Sequence, residues 1–135
     1  MTSIGRTRDA GWQCGVRRTV AGVDPTGAWA RLASAEGTAI WLGGPVALEP
    51  GPYALADGRE GEIRVVRPGS HVRLTWQAAP GDPDTTLQLR VLPARTGTTV
   101  AVHQERLADA EQRAQMLAHW EGVLDALRPV LAGGA

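Results

Sequence analysis

The stretch DGREGEIRVVRPGSHVRLTW, residues 57–76, carries the pattern on which the fold turns. Apolar Ile63 and Val65 alternate with Glu62 and Arg64; beyond Pro68-Gly69, apolar Val72, Leu74 and Trp76 alternate with His71, Arg73 and Thr75. A period of two, broken by proline and glycine, predicts two antiparallel strands with one apolar and one wet face.

The same punctuation continues on both sides. Pro50-Gly51, Asp57-Gly58, Pro80-Gly81-Asp82-Pro83 and Thr96-Gly97 divide residues 46–106 into short strands, as in an antiparallel meander. Leu87, Leu89 and Val91 alternate with Gln88 and Arg90, and Val100 and Val102 with Ala101 and His103. Upstream, WQCGVRRTVAG (residues 12–22) reads as a first strand with Cys14, Val16, Arg18 and Val20 on one face. Asp24-Pro25 then opens a short helix with Trp29 and Leu32, and Ser34 caps a second that stops at Gly43-Gly44-Pro45. Downstream, Asp109 and Gln112 form a capping-box variant before a long helix. Its expected apolar stripe is Ala114, Leu117, Trp120, Leu124, Leu127 and Leu131, with Glu111, Arg113, Glu121, Asp125 and Arg128 solvated.

The expected order is strand, two short helices, about six strands and one long helix. A sheet of six or seven strands with one wet face curls, and only the long helix has the reach to cover its other face. The expected organisation is a flexible polar tail over residues 1–12 and a single α+β domain over residues 13–132.

Composition limits what such a domain does. The 135 residues carry 14 basic and 14 acidic side chains, so no net charge draws the chain to nucleic acid. Every basic residue is arginine, which leaves neither a Schiff-base lysine nor the lysine of a phosphate loop. A chain of this length buries roughly two thirds of its unfolded surface, enough for one core without disulfides. With Cys14 as the single cysteine and no apolar run suited to a signal peptide or a membrane span, a cytoplasmic protein is expected. No cofactor is expected, because nucleophile elbow, phosphate loop and dinucleotide fingerprint are all missing. His71, His103 and His119 are too scattered for a metal site.

His103, Gln104, Glu105 and Arg106 stand together like an active site, but alternation opposes them. His103 and Glu105 point to the wet face and Gln104 points inward. A His103–Glu105 dyad on a solvated face has nothing to exclude water, so a wet strand end is the leading reading. An inward Gln104 amide needs partners, supplied by a ligand or by the long helix.

Three segments in succession resemble bacterial proteins related to the heat-shock-protein-90 ATPase activator, within the START and Bet v 1-like (SRPBCC) superfamily. They are VRRTVAGVDPTGAWARLASAEGTAIWL (residues 16–42), DGREGEIRVVRPGSHVRLTW, and GTTVAVHQERL (residues 97–107) followed by HWEGVLDAL (residues 119–127). The resemblance runs from about residue 16 to residue 131. It implies a helix-grip fold: a curved antiparallel sheet wrapped around the C-terminal helix, with a largely apolar cavity between them. Matching Gly97 and Leu107 to the family's "GT" and "gl" puts Gln104 where many members have histidine, and Arg106 where they usually have glycine.

The expected function is non-enzymatic binding of a small hydrophobic or amphipathic molecule. Its site would be lined by Leu87, Leu89, Val102, Trp29, Trp41, Trp76, Trp120, Met116 and Tyr53, with Arg18 or Gln104 holding polar groups. Each has an ordinary alternative: a local carboxylate partner for Arg18, core packing for the tryptophans and Met116, a hydrogen bond or a rim position for Tyr53. The alternative function is a module acting on a chaperone or other protein partner, or a homodimer formed through a sheet edge or the second helix. A cyclase or hydrolase ranks third, because no inward histidine, aspartate or glutamate is seen. Membrane insertion is not expected.

Overall fold

The computed structural model describes residues 11–133. Of the expected tail, residues 1–10 lie outside the described residues, and Trp12 already opens the first strand. The order is β1 (Trp12–Ala21), α1 (Pro25–Leu32), α2 (Ala35–Trp41), β2 (Gly51–Ala54), β3 (Glu60–Arg67), β4 (His71–Trp76), β5 (Thr85–Pro93), β6 (Gly97–Leu107) and α3 (Ala110–Leu131). All neighbouring strands are antiparallel in the sheet order β1-β6-β5-β4-β3-β2. The helix pair carries the chain from one edge of the sheet to the other, and the meander walks it back to β1. This is the helix-grip architecture.

Local chemistry sets the boundaries. Asp24 accepts from Gly27 N at 2.7 Å with Pro25 behind it, and Ser34 Oγ accepts from Gly37 N at 3.1 Å. Asp109 accepts from Gln112 N, and Gln112 Oε1 accepts in turn from Ala108 N, each at 2.7 Å. The reciprocal box therefore closes one residue earlier than the usual motif.

Register makes the inner face. One row crosses the sheet as Val16, Val102, Leu89, Val72 and Val66, and the next as Cys14, Gln104, Leu87, Leu74 and Ile63. Met116, Trp120, Leu124, Leu127 and Leu131 of α3 pack onto these rows. Ala114, expected in that stripe, is exposed, and Leu117 is only partly covered. Two successive steps of three residues rotate Ala114 about 120° away from Trp120 at 100° per residue, whereas Met116 lies one full turn before it.

Two bulges redirect side chains. The β3/β4 register shifts between Ile63 and Val65, so Val65 stands opposite outward Arg73 instead of following Ile63 inward; half-buried Val66 takes the inner place beside Val72. At the other end of the sheet, β6 carries one residue more than β1 between the pairs Cys14↔Gln104 and Trp12↔Leu107. Arg106 sits there with φ 67°, the left-handed conformation that a bulge of this kind ordinarily gives to glycine. That geometry explains the glycine expected at this position from the resemblance.

The free edge of β1 is blunted. Its carbonyls at Gln13, Arg17 and Thr19 accept from Arg113 (2.8 Å), Arg18 (2.8 Å) and Arg128 (3.5 Å). Arg113 and Arg128 reach it from α3.

Candidate functional site

Between the sheet and α3, Val72, Leu74, Leu87, Leu89 and Trp120 are wholly covered. Depressions of about 220, 350, 380 and 450 Å³ among the described residues are lined by other side chains than these. Among the described residues the buried polar side chains are threonines and Gln104.

Gln104 is read correctly as inward, and its partners belong to the protein. Its Oε1 accepts from the Trp120 indole N–H at 2.7 Å, and its Nε2 donates to Thr85 Oγ1 at 2.9 Å. Thr85 in turn donates to the Trp76 carbonyl at 2.7 Å. This buried chain ties α3 to β6, β5 and β4. Buried polar groups linked in this way favour one arrangement of the core over others.

Near it lies a less closed cluster. Trp76 ends β4 and is almost completely buried, with its ring centroid 5.3 Å from Trp120 and 5.7 Å from His119. The Arg59 guanidinium lies 5.6 Å from the Trp76 ring centre, in the range of a cation–π contact. Arg59 comes from the tight β2–β3 connection, where Asp57 accepts its backbone N–H at 3.0 Å and its Nε at 2.8 Å. Those two donors hold the Asp57 carboxyl below its ordinary pKa, the backbone bond contributing most. Gly43, with φ 106°, lets the guanidinium lie against the end of α2; a Cβ there would collide with Arg59 Nη2. His119 is an exposed residue whose imidazole is nonetheless pushed below its ordinary pKa, by desolvation against its neighbours and then by the Arg59 charge. Tyr53 donates to the Thr75 carbonyl at 2.6 Å, and burial pushes its hydroxyl up to about 12 against the opposing pull of Arg59. It lies over Gly61, where a Cβ would come within 2.7 Å of the phenol.

One polar atom in this cluster is unmatched. The Trp76 indole Nε1 is buried and has no hydrogen-bond partner among the described residues. An unmatched buried donor costs about 1–3 kcal/mol, so it is an opening for an acceptor.

The remaining expected residues are dispersed. Arg18 turns to the outside of α3 and pairs with Asp125 at 3.1 Å, so its ordinary reading holds. Trp41 donates to the Leu32 carbonyl at 2.9 Å and fastens α2 to α1. Trp29 is buried on α1, and Met116 sits one turn before Trp120. Leu87, Leu89 and Val102 form the floor beneath α3. His103 and Glu105 share the outer face at 3.6 Å, both partly exposed, and His103 Nε2 lies 3.0 Å from Gln13 Oε1. Arg59 and His119 had no signature in the sequence, since a turn and a helix bring them together only after folding. Among the described residues, no three His, Cys, Asp or Glu side chains are placed to hold a metal ion. No helix there is long and apolar enough to cross a membrane.

Comparison with known proteins agrees with this architecture. Solved structures with the same fold include protein MLL2253 from Mesorhizobium loti, with a TM-score of 0.70 and 20% identity over 88% of this chain and 96% of that one. The AHSA1 protein from Silicibacter pomeroyi aligns with a TM-score of 0.72 and 17% identity over 89% and 97%. CalU16 from Micromonospora echinospora aligns with a TM-score of 0.71 and 20% identity over 96% and 81%. No curated protein matches the chain. Residues 23–132 match the family described as activator of Hsp90 ATPase homolog 1-like protein, and the chain belongs to that family.

Proposed function

We propose that the protein is a non-enzymatic, cytoplasmic binder of a small amphipathic molecule, taken up where the end of β4 meets α3. The unmatched Trp76 N–H carries this reading. It is a buried donor beside an aromatic surface and a guanidinium, the combination that suits an apolar body bearing an acceptor or an acid. The inner face offers threonines, Gln104 and apolar groups but no buried carboxylate or imidazole among the described residues, which suits holding a molecule better than transforming it. Because Trp76 is almost completely buried with Arg59 and His119 against its ring, uptake would proceed by movement of those two side chains.

Native mass spectrometry of freshly purified protein, read against its denatured mass, tests this together with titration by the anionic fluorophore anilinonaphthalene sulfonate. A co-purifying mass of a few hundred daltons, or saturable fluorophore binding that Arg59→Gln and Trp76→Phe weaken, is the expected result. A clean apo mass with fluorophore binding indifferent to both substitutions overturns it.

A second reading follows from the family's description: a module that stimulates a chaperone ATPase. The wholly covered side chains between sheet and helix are compatible with it, since such a module acts through a surface. An Hsp90 ATPase rate unchanged by saturating protein counts against it.

A further inference from the structure

The outer face of the sheet, which the proposed binding site does not use, separates its charges. Arg17, Ala101, Arg90, His71 and Arg67 stand side by side in register across β1, β6, β5, β4 and β3, and Arg73 lies in the adjoining row. None of these four arginine side chains has an ion pair among the described residues, although the chain as a whole is neutral. Toward the opposite end of the face Glu60, Glu62 and Asp84 line a separate depression with a single arginine, Arg64, which lies 3.7 Å from Glu62, while Glu105 lies beside His103 at the margin of the basic row. His71, between Arg90 and Arg67, is held below its ordinary pKa by partial burial and then by those two charges.

The basic row is also shaped. Gly15 and Ala101 put almost no side chain on the face, leaving an open depression of about 380 Å³ among Arg17, Arg90, His103 and Gln88. Four interstrand gaps of about 4.8 Å make the row about 19 Å long, the span of about six residues of extended chain.

We propose that this row binds an extended acidic segment of a partner protein, laid across the strands from β1 to β3. Charge complementarity selects acidic side chains, because four guanidinium groups lack carboxylates and guanidinium pairs bidentately with them. Shape selects an extended segment over a second copy of this chain. The face is the outside of a sheet curled around α3, and two such convex surfaces touch over little area. The acidic end of the same face repels the segment there and fixes which row it follows.

The test is fluorescence anisotropy of a fluorescein-labelled hexaglutamate peptide titrated with the whole protein at low and at physiological salt. Saturable binding that weakens as salt rises is expected, with at least about a tenfold loss for Arg67→Glu combined with Arg90→Glu and little change for Arg128→Glu on the far side. Thermal unfolding checks that the variants fold. Should the charge-reversed pair fail that check, Arg17→Gln with Arg73→Gln takes its place and must also weaken binding. Binding that the paired variant retains, or no binding at low salt, overturns the proposal. So does tighter binding of a six-nucleotide oligothymidylate, which would assign the row to nucleic acid. A dimer in sedimentation velocity that the same pair dissolves would assign it to a second copy and equally overturn it.

Discussion

Trp120 and Trp76 lie in contact, yet their indole nitrogens meet opposite fates. Trp120 donates into the Gln104–Thr85 chain, where each named donor has an acceptor, while the buried Trp76 N–H has none among the described residues. The first arrangement locks α3 onto the sheet. The second leaves a cost standing beside a rim made of a turn arginine and an exposed histidine. A core that satisfies one tryptophan and strands its neighbour separates the part that specifies the fold from the part open to a further partner.

Substitutions break or sharpen that contrast. The largest effect belongs to Trp120→Ala, which empties the wholly buried position at the centre of α3; urea unfolding should lose about 3–5 kcal/mol. A loss under about 1 kcal/mol would mean that the interior is looser than its covered side chains imply. Next is Gln104→Leu, which removes the acceptor for Trp120 and the donor to Thr85 and should cost about 1–3 kcal/mol. Adding Trp120→Phe to it should cost less than the two single changes summed, since the stranded indole donor disappears; additive losses would dissolve the idea of a linked chain. At the rim the sign reverses. Trp76→Phe removes an unmatched donor, so stability should hold within about 1 kcal/mol of the parent or rise slightly, even as fluorophore binding falls. A loss comparable to that of Trp120→Ala would place Trp76 with the core.

The smallest effect is a pH dependence. The His119 pKa is lowered in the folded chain from an ordinary 6.5, so the unfolded chain binds its proton first as pH falls. Stability should therefore decline as pH drops through about 6.5 and stop declining once the folded imidazole is also protonated. His71 is lowered as well and adds to the same decline. His119→Gln should flatten part of the slope in chemical denaturation between pH 7 and 5, and an unchanged slope would show that neither burial nor the Arg59 charge acts on the imidazole.

Much of this was legible before folding. Alternation placed Gln104 inward and His103 outward, and the caps at Asp24, Ser34 and Asp109 gave the helix starts, because these signals act within a few residues. Val65 misled because a bulge inserts a residue without any glycine or proline to announce it. Ala114 misled because small apolar residues fit either side of a helix. The cluster of Arg59, Trp76 and His119 stayed hidden for a deeper reason: a turn, a strand end and a helix meet there, and no spacing along the chain encodes that meeting. Arg18 carried both an inward position and a carboxylate partner, and only geometry chose Asp125.

The arginine-capped edge of β1 bears on what happens when the protein fails. A ten-residue strand with free acceptors invites addition by any unpaired strand, and ribbon growth into fibrils begins at such sites. Guanidinium groups from Arg113 and Arg128 occupy acceptors there only while α3 is docked. Helix detachment therefore bares the apolar face and unseals the edge in one step, so resistance to polymerisation is coupled to the docking of a single helix.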